Sequence, residues 1–309
     1  MSSEAPPKPL PFHYQFIAGA IAGISEILTM YPLDVIKTRA QLSTGSEKVG
    51  IVKALKQIVQ AEGVPALYRG ILPPIMVEAP KRATKFAANE QYTAMYKKMF
   101  GVEKMTQPLA ILTGVSAGIT EAFLIVPFEL VKIRMQDKAN YGKYNGTVDT
   151  LTKIIKHEGP LALFNGLEAT IWRHAAWNGG YFGVIFGVRD MLPKAETKEG
   201  QLLINFTAGS IGGTVGTTLN TPFDVVKTRI QGYNGVGPRK YNWTIPSVLT
   251  VAKEEGYVQE HYCDHMEVDA MALYKGFLPK VLRLGPGGGI LLVVFETVSN
   301  FIRKNIMKD

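Results

Sequence analysis

Three short runs of this sequence repeat the same charged pattern at the same spacing. Pro32-Leu-Asp34-Val-Ile-Lys37-Thr-Arg39-Ala-Gln41 returns as Pro127-Phe-Glu129-Leu-Val-Lys132-Ile-Arg134-Met-Gln136. It returns again as Pro222-Phe-Asp224-Val-Val-Lys227-Thr-Arg229-Ile-Gln231, each copy 95 residues after the last. An acid and a lysine three residues apart share one face of a helix. Three such helices around one axis bring Asp34, Glu129 and Asp224 together with Lys37, Lys132 and Lys227, a ring able to close one end of a central pore. Gln41, Gln136 and Gln231 stand one turn further on, placed to hydrogen-bond that ring.

A second constellation is cationic. Aligned on Gly70, Gly166 and Gly276, the downstream segments put Val77, Arg173 and Arg283 seven residues on. Lys81, Trp177 and Gly287 follow at eleven residues, and Lys85, Tyr181 and Leu291 at fifteen. Steps of four keep each set on one helix face. Arg173 and Arg283 are then expected at one depth across the pore, with Lys81 and Lys85 stacked one and two turns away. No matching acid is expected on those faces. Charges inside a membrane line water-filled paths and mark the route of an ion, so this face reads as a path for anions. Arginine pairs in a fork with a carboxylate and lysine acts as a point charge, which suits a dicarboxylate. His174, next to Arg173, either donates to a ligand oxygen or satisfies a local hydrogen bond. Glu26 and Glu121 are symmetric, with Gly216 as third equivalent, and read as counter-charges to the lysines.

The elements that must position these residues are long helices. The chain has 309 residues and a net charge of +8, is 46% hydrophobic and only 19% charged, with mean hydropathy +0.06. That charge fraction is below the roughly 25% of ordinary soluble domains. The pattern predicts six long helices near 12–42, 72–99, 107–138, 168–192, 202–232 and 277–304, with a short amphipathic helix over 51–61. Many carry about 20 mostly apolar residues, the length a bilayer requires. The pairs Gly19/Gly23, Gly114/Gly118 and Gly209/Gly213 permit close helix approach, and the motif prolines predict kinks. A soluble helical solenoid explains these features less well. The fold class is therefore an all-α membrane protein of six transmembrane helices in three pseudo-symmetric repeats, with short helices between the long ones, which a resemblance to a known family would set on the matrix side. The repeats are bounded at 1–104, 105–199 and 200–309.

The motifs and their period resemble the mitochondrial carrier family over nearly the whole chain. The resemblance implies a multi-pass protein of the mitochondrial inner membrane with both termini toward the intermembrane space, exchanging metabolites by alternating access. It also implies cardiolipin at the helix starts near the Glu-Gly and Tyr-Arg-Gly segments. The segments around Glu78-Ala-Pro-Lys81, Trp172-Arg173-His174 and Arg283-Leu-Gly-Pro-Gly resemble family members that exchange 2-oxodicarboxylates such as 2-oxoadipate and 2-oxoglutarate. Charge spacing alone reaches only a dicarboxylate-sized anion. Citrate, malate and phosphate remain rivals, as does a proton-leak or channel-like protein. The family's second charged ring, on the cytosolic side, is reduced here to the acids Glu90 and Glu296 and the base Arg189, with Arg189–Glu296 the surviving bridge.

The third repeat is longer by about 13 residues, the insert falling near 259–271. Its His261-x-Cys263-x-His265 alternation lacks a second ligand pair of zinc spacing, so no metal is expected. The insert reads as a surface loop or as an intron translated in frame. Cys263 is the only cysteine, which excludes an intrachain disulfide. No Gly-rich phosphate loop, catalytic triad or basic block is present, which argues against an enzyme, a cofactor and nucleic acid. No obligate protein partner is expected. The N-terminal segment matches neither a secretory signal nor an Arg-rich transit peptide.

Overall fold

The computed structural model describes residues 10–43, 50–191, 198–235, 237–255 and 270–307. The insert lies outside them, save its last two residues. Six long helices are present among the described residues, α1 (Phe12–Leu42), α3 (Leu72–Phe100), α4 (Gln107–Gln136), α6 (Leu167–Met191), α7 (Lys198–Gly232) and α9 (Phe277–Asn305). Three short ones lie between them, α2 (Ile51–Glu62), α5 (Thr147–Glu158) and α8 (Thr244–Glu255). No strand occurs among the described residues. The helices continue through Pro32, Pro127 and Pro222.

Three stretches, His13–Leu42, Gln107–Gln136 and Met271–Asn305, are apolar and long enough to cross a membrane on composition alone. α3 falls short through its charges and α7 through its Gly, Ser and Thr. Apolar side chains point outward along the bundle, among them Ile17, Leu28, Phe123, Leu219, Leu292 and Val293. Polar ones occupy the interior, among them Glu78, Glu121, Asp224 and Lys227. That inversion of the soluble pattern suits a lipid surround.

Counting only the long helices, the odd ones are α1, α4 and α7 and the even ones α3, α6 and α9, and each even helix packs against the odd helix of the next repeat: α3 on α4, α6 on α7, α9 on α1. The ring of six is thereby closed. The α6–α7 seam is the closest, because glycines let the backbones meet. A Cβ on Gly180 would lie 2.9 Å from the Gly216 Cα, and one on Gly216 would lie 3.0 Å from the Trp177 carbonyl. Gly209 and Gly213, expected at a close approach, have open space instead; Gly212 and Gly216 fill that role.

Beneath each odd helix sits a threefold-repeated apolar cluster. Val35, Ile36 and Ile58 gather with Leu67 in the first, Leu130, Val131 and Ile154 in the second, Val226, Ile230 and Val251 in the third. The short helices are thus plugs held by their apolar stripe. Gly70, Gly166 and Gly276 all have positive φ (75°, 82° and 79°). Each turns the chain into its even helix where a side chain would strike the next repeat.

The motif arginines lock this layer. Arg39 forks onto Glu62 at 2.6 and 2.8 Å, and Arg134 and Arg229 fork onto Glu158 and Glu255. Their Nε atoms donate to backbone carbonyls of the neighbouring repeat: Arg39 to Gln136, Arg134 to Gln231, Arg229 to Gln41, at 3.0–3.2 Å. One side chain therefore ties a short helix to its own odd helix and to the next. The Arg39 fork holds the Glu62 carboxyl below the usual carboxylate range. Burial pushes Glu255 up, but Arg229 and Lys275 outweigh it and leave it low.

Two outcomes follow from the clamp. Glu62 and Glu255 have depressed folded values, so their contribution is present above about pH 4.3 and lost as pH falls through the folded value. Thermal unfolding in detergent is expected to shift to lower temperature below about pH 4, less so in Glu62→Gln protein. Arg134 is fully buried (0% exposed). Glu158→Gln strands its guanidinium and is expected to cost about 3–5 kcal/mol, most of it recovered in Arg134→Met/Glu158→Met.

Candidate functional site

The three motif acids and three motif lysines meet where the odd helices converge. Lys37 pairs with Asp224 at 2.6 Å, Lys132 with Asp34 at 3.0 Å, and Lys227 with Glu129 at 2.6 Å. Every pair joins two different repeats, so the three bridges form one closed circuit. Within one helix, the i, i+3 spacing only delivers the charges to the axis; the partners come from next door. Asp224 and Lys227 are almost fully buried.

Immediately on the side of the chain termini lies a cavity of about 350 Å³. Arg173 and Arg283 both line it. Arg283 is held by Asp34 at 2.7 Å and Glu26 at 2.9 Å. Arg173 lies 3.6 Å from Glu129 and 3.9 Å from Asp224, and donates to His174 Nε2 at 3.2 Å. Its neighbour His174 is seated against Gly118, where a Cβ would lie 2.9 Å from the His174 Cβ. On the third wall, Glu78 holds both Lys81 and Arg82, the latter at 2.7 Å. The cavity is therefore a chamber lined by charges of both signs, in which Arg173 and Arg283 are shared with the acids of the ring below it.

The sequence matches the family described as mitochondrial carrier protein three times, over residues 8–100, 104–196 and 198–306. The chain belongs to the mitochondrial carrier family. It is 59% identical over 313 residues to mitochondrial citrate transporter D of Aspergillus niger, covering 98% of each chain. It is 55% identical over 303 residues to the probable mitochondrial 2-oxodicarboxylate carrier of Schizosaccharomyces pombe, covering 97% of each. A human protein named mitochondrial 2-oxodicarboxylate carrier is 39% identical over 94% of this chain and 95% of its own. As a member of this family the chain is a mitochondrial membrane transporter rather than an enzyme.

Set against the sequence expectations, this carrier differs in several places. The acids absent from the faces of α6 and α9 are supplied by the odd helices. Glu26 balances Arg283, not a lysine. Glu121 is buried in the cavity wall, and its Oε2 accepts no hydrogen bond. Of the three glutamines only Gln41 braces the ring, donating to Asp224 at 3.2 Å and accepting from Thr228 at 2.8 Å. Among the described residues, no hydrogen bond joins the buried Gln136 and Gln231 amides to the ring. The position matching Thr228 in the second repeat is Ile133, which offers Gln231 no hydroxyl.

Lys81 lines the cavity, but Lys85 is exposed and outside its lining. Arg82, not anticipated, takes the inward place. Its signal was the Glu78–Arg82 spacing of four on one helix. Lys280 was also missed; it lies 3.3 Å from Asp224, three residues before Arg283 on the same helix. At the far end of the bundle Glu90 and Glu296 are exposed, with no ion pair among the described residues. The Arg189 side chain is outside the described ones.

Because Arg82 lines the cavity and Lys85 stands a turn beyond Lys81, outside that lining, Arg82→Ala is expected to lower substrate exchange in proteoliposomes about tenfold, the equivalent of about 1.4 kcal/mol. Lys85→Ala is expected to stay within about twofold of the parent.

Proposed function

We propose that this carrier exchanges 2-oxodicarboxylates, 2-oxoadipate and 2-oxoglutarate, across the mitochondrial inner membrane by alternating access. The observation that carries the reading is the sharing of Arg173 and Arg283 between the cavity and the ring acids. Two arginine forks on different walls match two terminal carboxylates. A dicarboxylate entering from the side of the termini competes with Asp34 for Arg283 and with Glu129 and Asp224 for Arg173. Binding thereby withdraws positive charge from the ring and weakens its hold. The ring is the gate on the matrix side, with Lys37, Lys132 and Lys227 as its latches and Gln41 as its brace. Its three formed bridges, beside exposed Glu90 and Glu296, correspond to a carrier resting open toward the intermembrane space, where both termini lie.

The 2-oxodicarboxylate names of several relatives support the substrate class. Citrate is the second reading, supported by the name of the Aspergillus niger relative and by the third basic group of the cavity, Lys81 with Arg82. A proton leak or open channel sits poorly with a closed circuit of ion pairs. Cardiolipin is proposed at the helix starts near the Glu-Gly and Tyr-Arg-Gly segments, such as Glu62-Gly63 and Tyr68-Arg69-Gly70.

The test is exchange by the purified protein in preloaded liposomes, with 2-oxoadipate, 2-oxoglutarate, citrate, malate and phosphate each inside and outside. Fast 2-oxoadipate/2-oxoglutarate exchange that needs a counter-substrate is expected. Arg173→Ala and Arg283→Ala, which strand a desolvated carboxylate at about 2–5 kcal/mol, are each expected to lower it about thirtyfold or more. Preference for citrate selects the second reading, and uptake without counter-substrate selects the leak.

A further inference from the structure

The three corners of the ring are not equivalent, and the difference lies in Lys280. Each ring acid has one motif lysine and shares an arginine: Asp34 has Lys132 and Arg283, Glu129 has Lys227 and Arg173, Asp224 has Lys37 and the more distant Arg173. Asp224 alone has more. Lys280 Nζ lies 3.3 Å from its Oδ2, and Gln41 donates to the same oxygen at 3.2 Å. Lys280 also donates to the Asn220 side-chain oxygen. The symmetric positions of this pair are Met30 and Pro74 in the first repeat and Ile125 and Thr170 in the second, none of which can carry such a bridge. Lys280 therefore pins α9 to α7 inside the third repeat, and because α9 also packs along α1 it ties the Asp224 corner indirectly to the first repeat, whereas the motif lysines bridge the repeats directly.

We propose that Lys280 is a fourth gate lysine, which keeps the Asp224 corner closed after an anion has drawn the arginines away, so that the loaded carrier opens first at Asp34 and Glu129. The proposal rests on reading the ring as a gate. With Arg173 and Arg283 engaged by substrate, Asp34 and Glu129 each retain a single lysine, while Asp224 retains Lys37, Lys280 and the Gln41 amide. Lys280 acts through Asp224 and is a positioning residue.

The experiment uses full-length carrier with Cys263→Ser and a reporter Val77→Cys in the cavity wall, labelled by an impermeant maleimide from each face of oriented vesicles. Lys132→Met and Lys227→Met are expected to raise labelling from the ring side about tenfold, and Lys37→Met by no more than about threefold. Lys280→Met, mild alone, is expected to make Lys37→Met as disruptive as Lys132→Met, a non-additive coupling that Lys280→Arg abolishes. Thermal unfolding of each variant separates this from general destabilisation, which moves labelling from both faces. If Lys132→Met and Lys227→Met leave labelling unchanged, the gate reading fails. If they raise it but Lys37→Met matches them and Lys280→Met adds nothing to it, the gate stands and Lys280 has no part in it.

Discussion

Six charged groups with little access to water cannot stay apart in the middle of a membrane protein. Desolvation makes each costly alone, and removing one member of a buried pair strands the other. Pairing Asp34 with Lys132, Glu129 with Lys227 and Asp224 with Lys37 therefore draws the three repeats onto one axis. The rest of the architecture serves that convergence. Glycines at the turn into each even helix admit the neighbouring repeat, and the arginine forks fasten the short helices beneath. The same pairs are reversible, since their net worth is small once a competing partner is offered.

That competition connects structure to transport. Arg173 and Arg283 stand between the cavity and the ring, each already committed to acids at 2.7–3.9 Å. On the proposed reading an anion does not fill a vacant site; it displaces carboxylates of the protein. A ligand shifts a conformational equilibrium only by its differential affinity for the two states. Under the proposed mechanism, sharing the arginines supplies that difference, because the state that binds the anion best is then one in which the ring has surrendered them.

Much of this was legible in the sequence. The 95-residue period fixed three repeats, and the glycine-aligned offsets placed Arg173, Arg283 and Lys81 on the cavity wall, because helical steps of four are preserved by symmetry. What the repeats could not give was anything that breaks symmetry. Lys280 with Asn220, Arg82 in place of Lys85, and Gln41 as the only bracing glutamine all depend on one repeat's neighbours. The role of the motif arginines was equally hidden, since Arg39 and Glu62 are 23 residues apart and meet only once α2 folds back beneath α1.

The most direct measurement is equilibrium binding of 2-oxoadipate to detergent-solubilised Asp34→Asn carrier by titration calorimetry, compared with the parent protein. If the substrate competes with Asp34 for Arg283, neutralising that carboxylate frees the guanidinium, and affinity is expected to rise about tenfold even as exchange falls. Affinity unchanged or weakened in a folded Asp34→Asn protein would contradict a shared arginine as the link between substrate and gate.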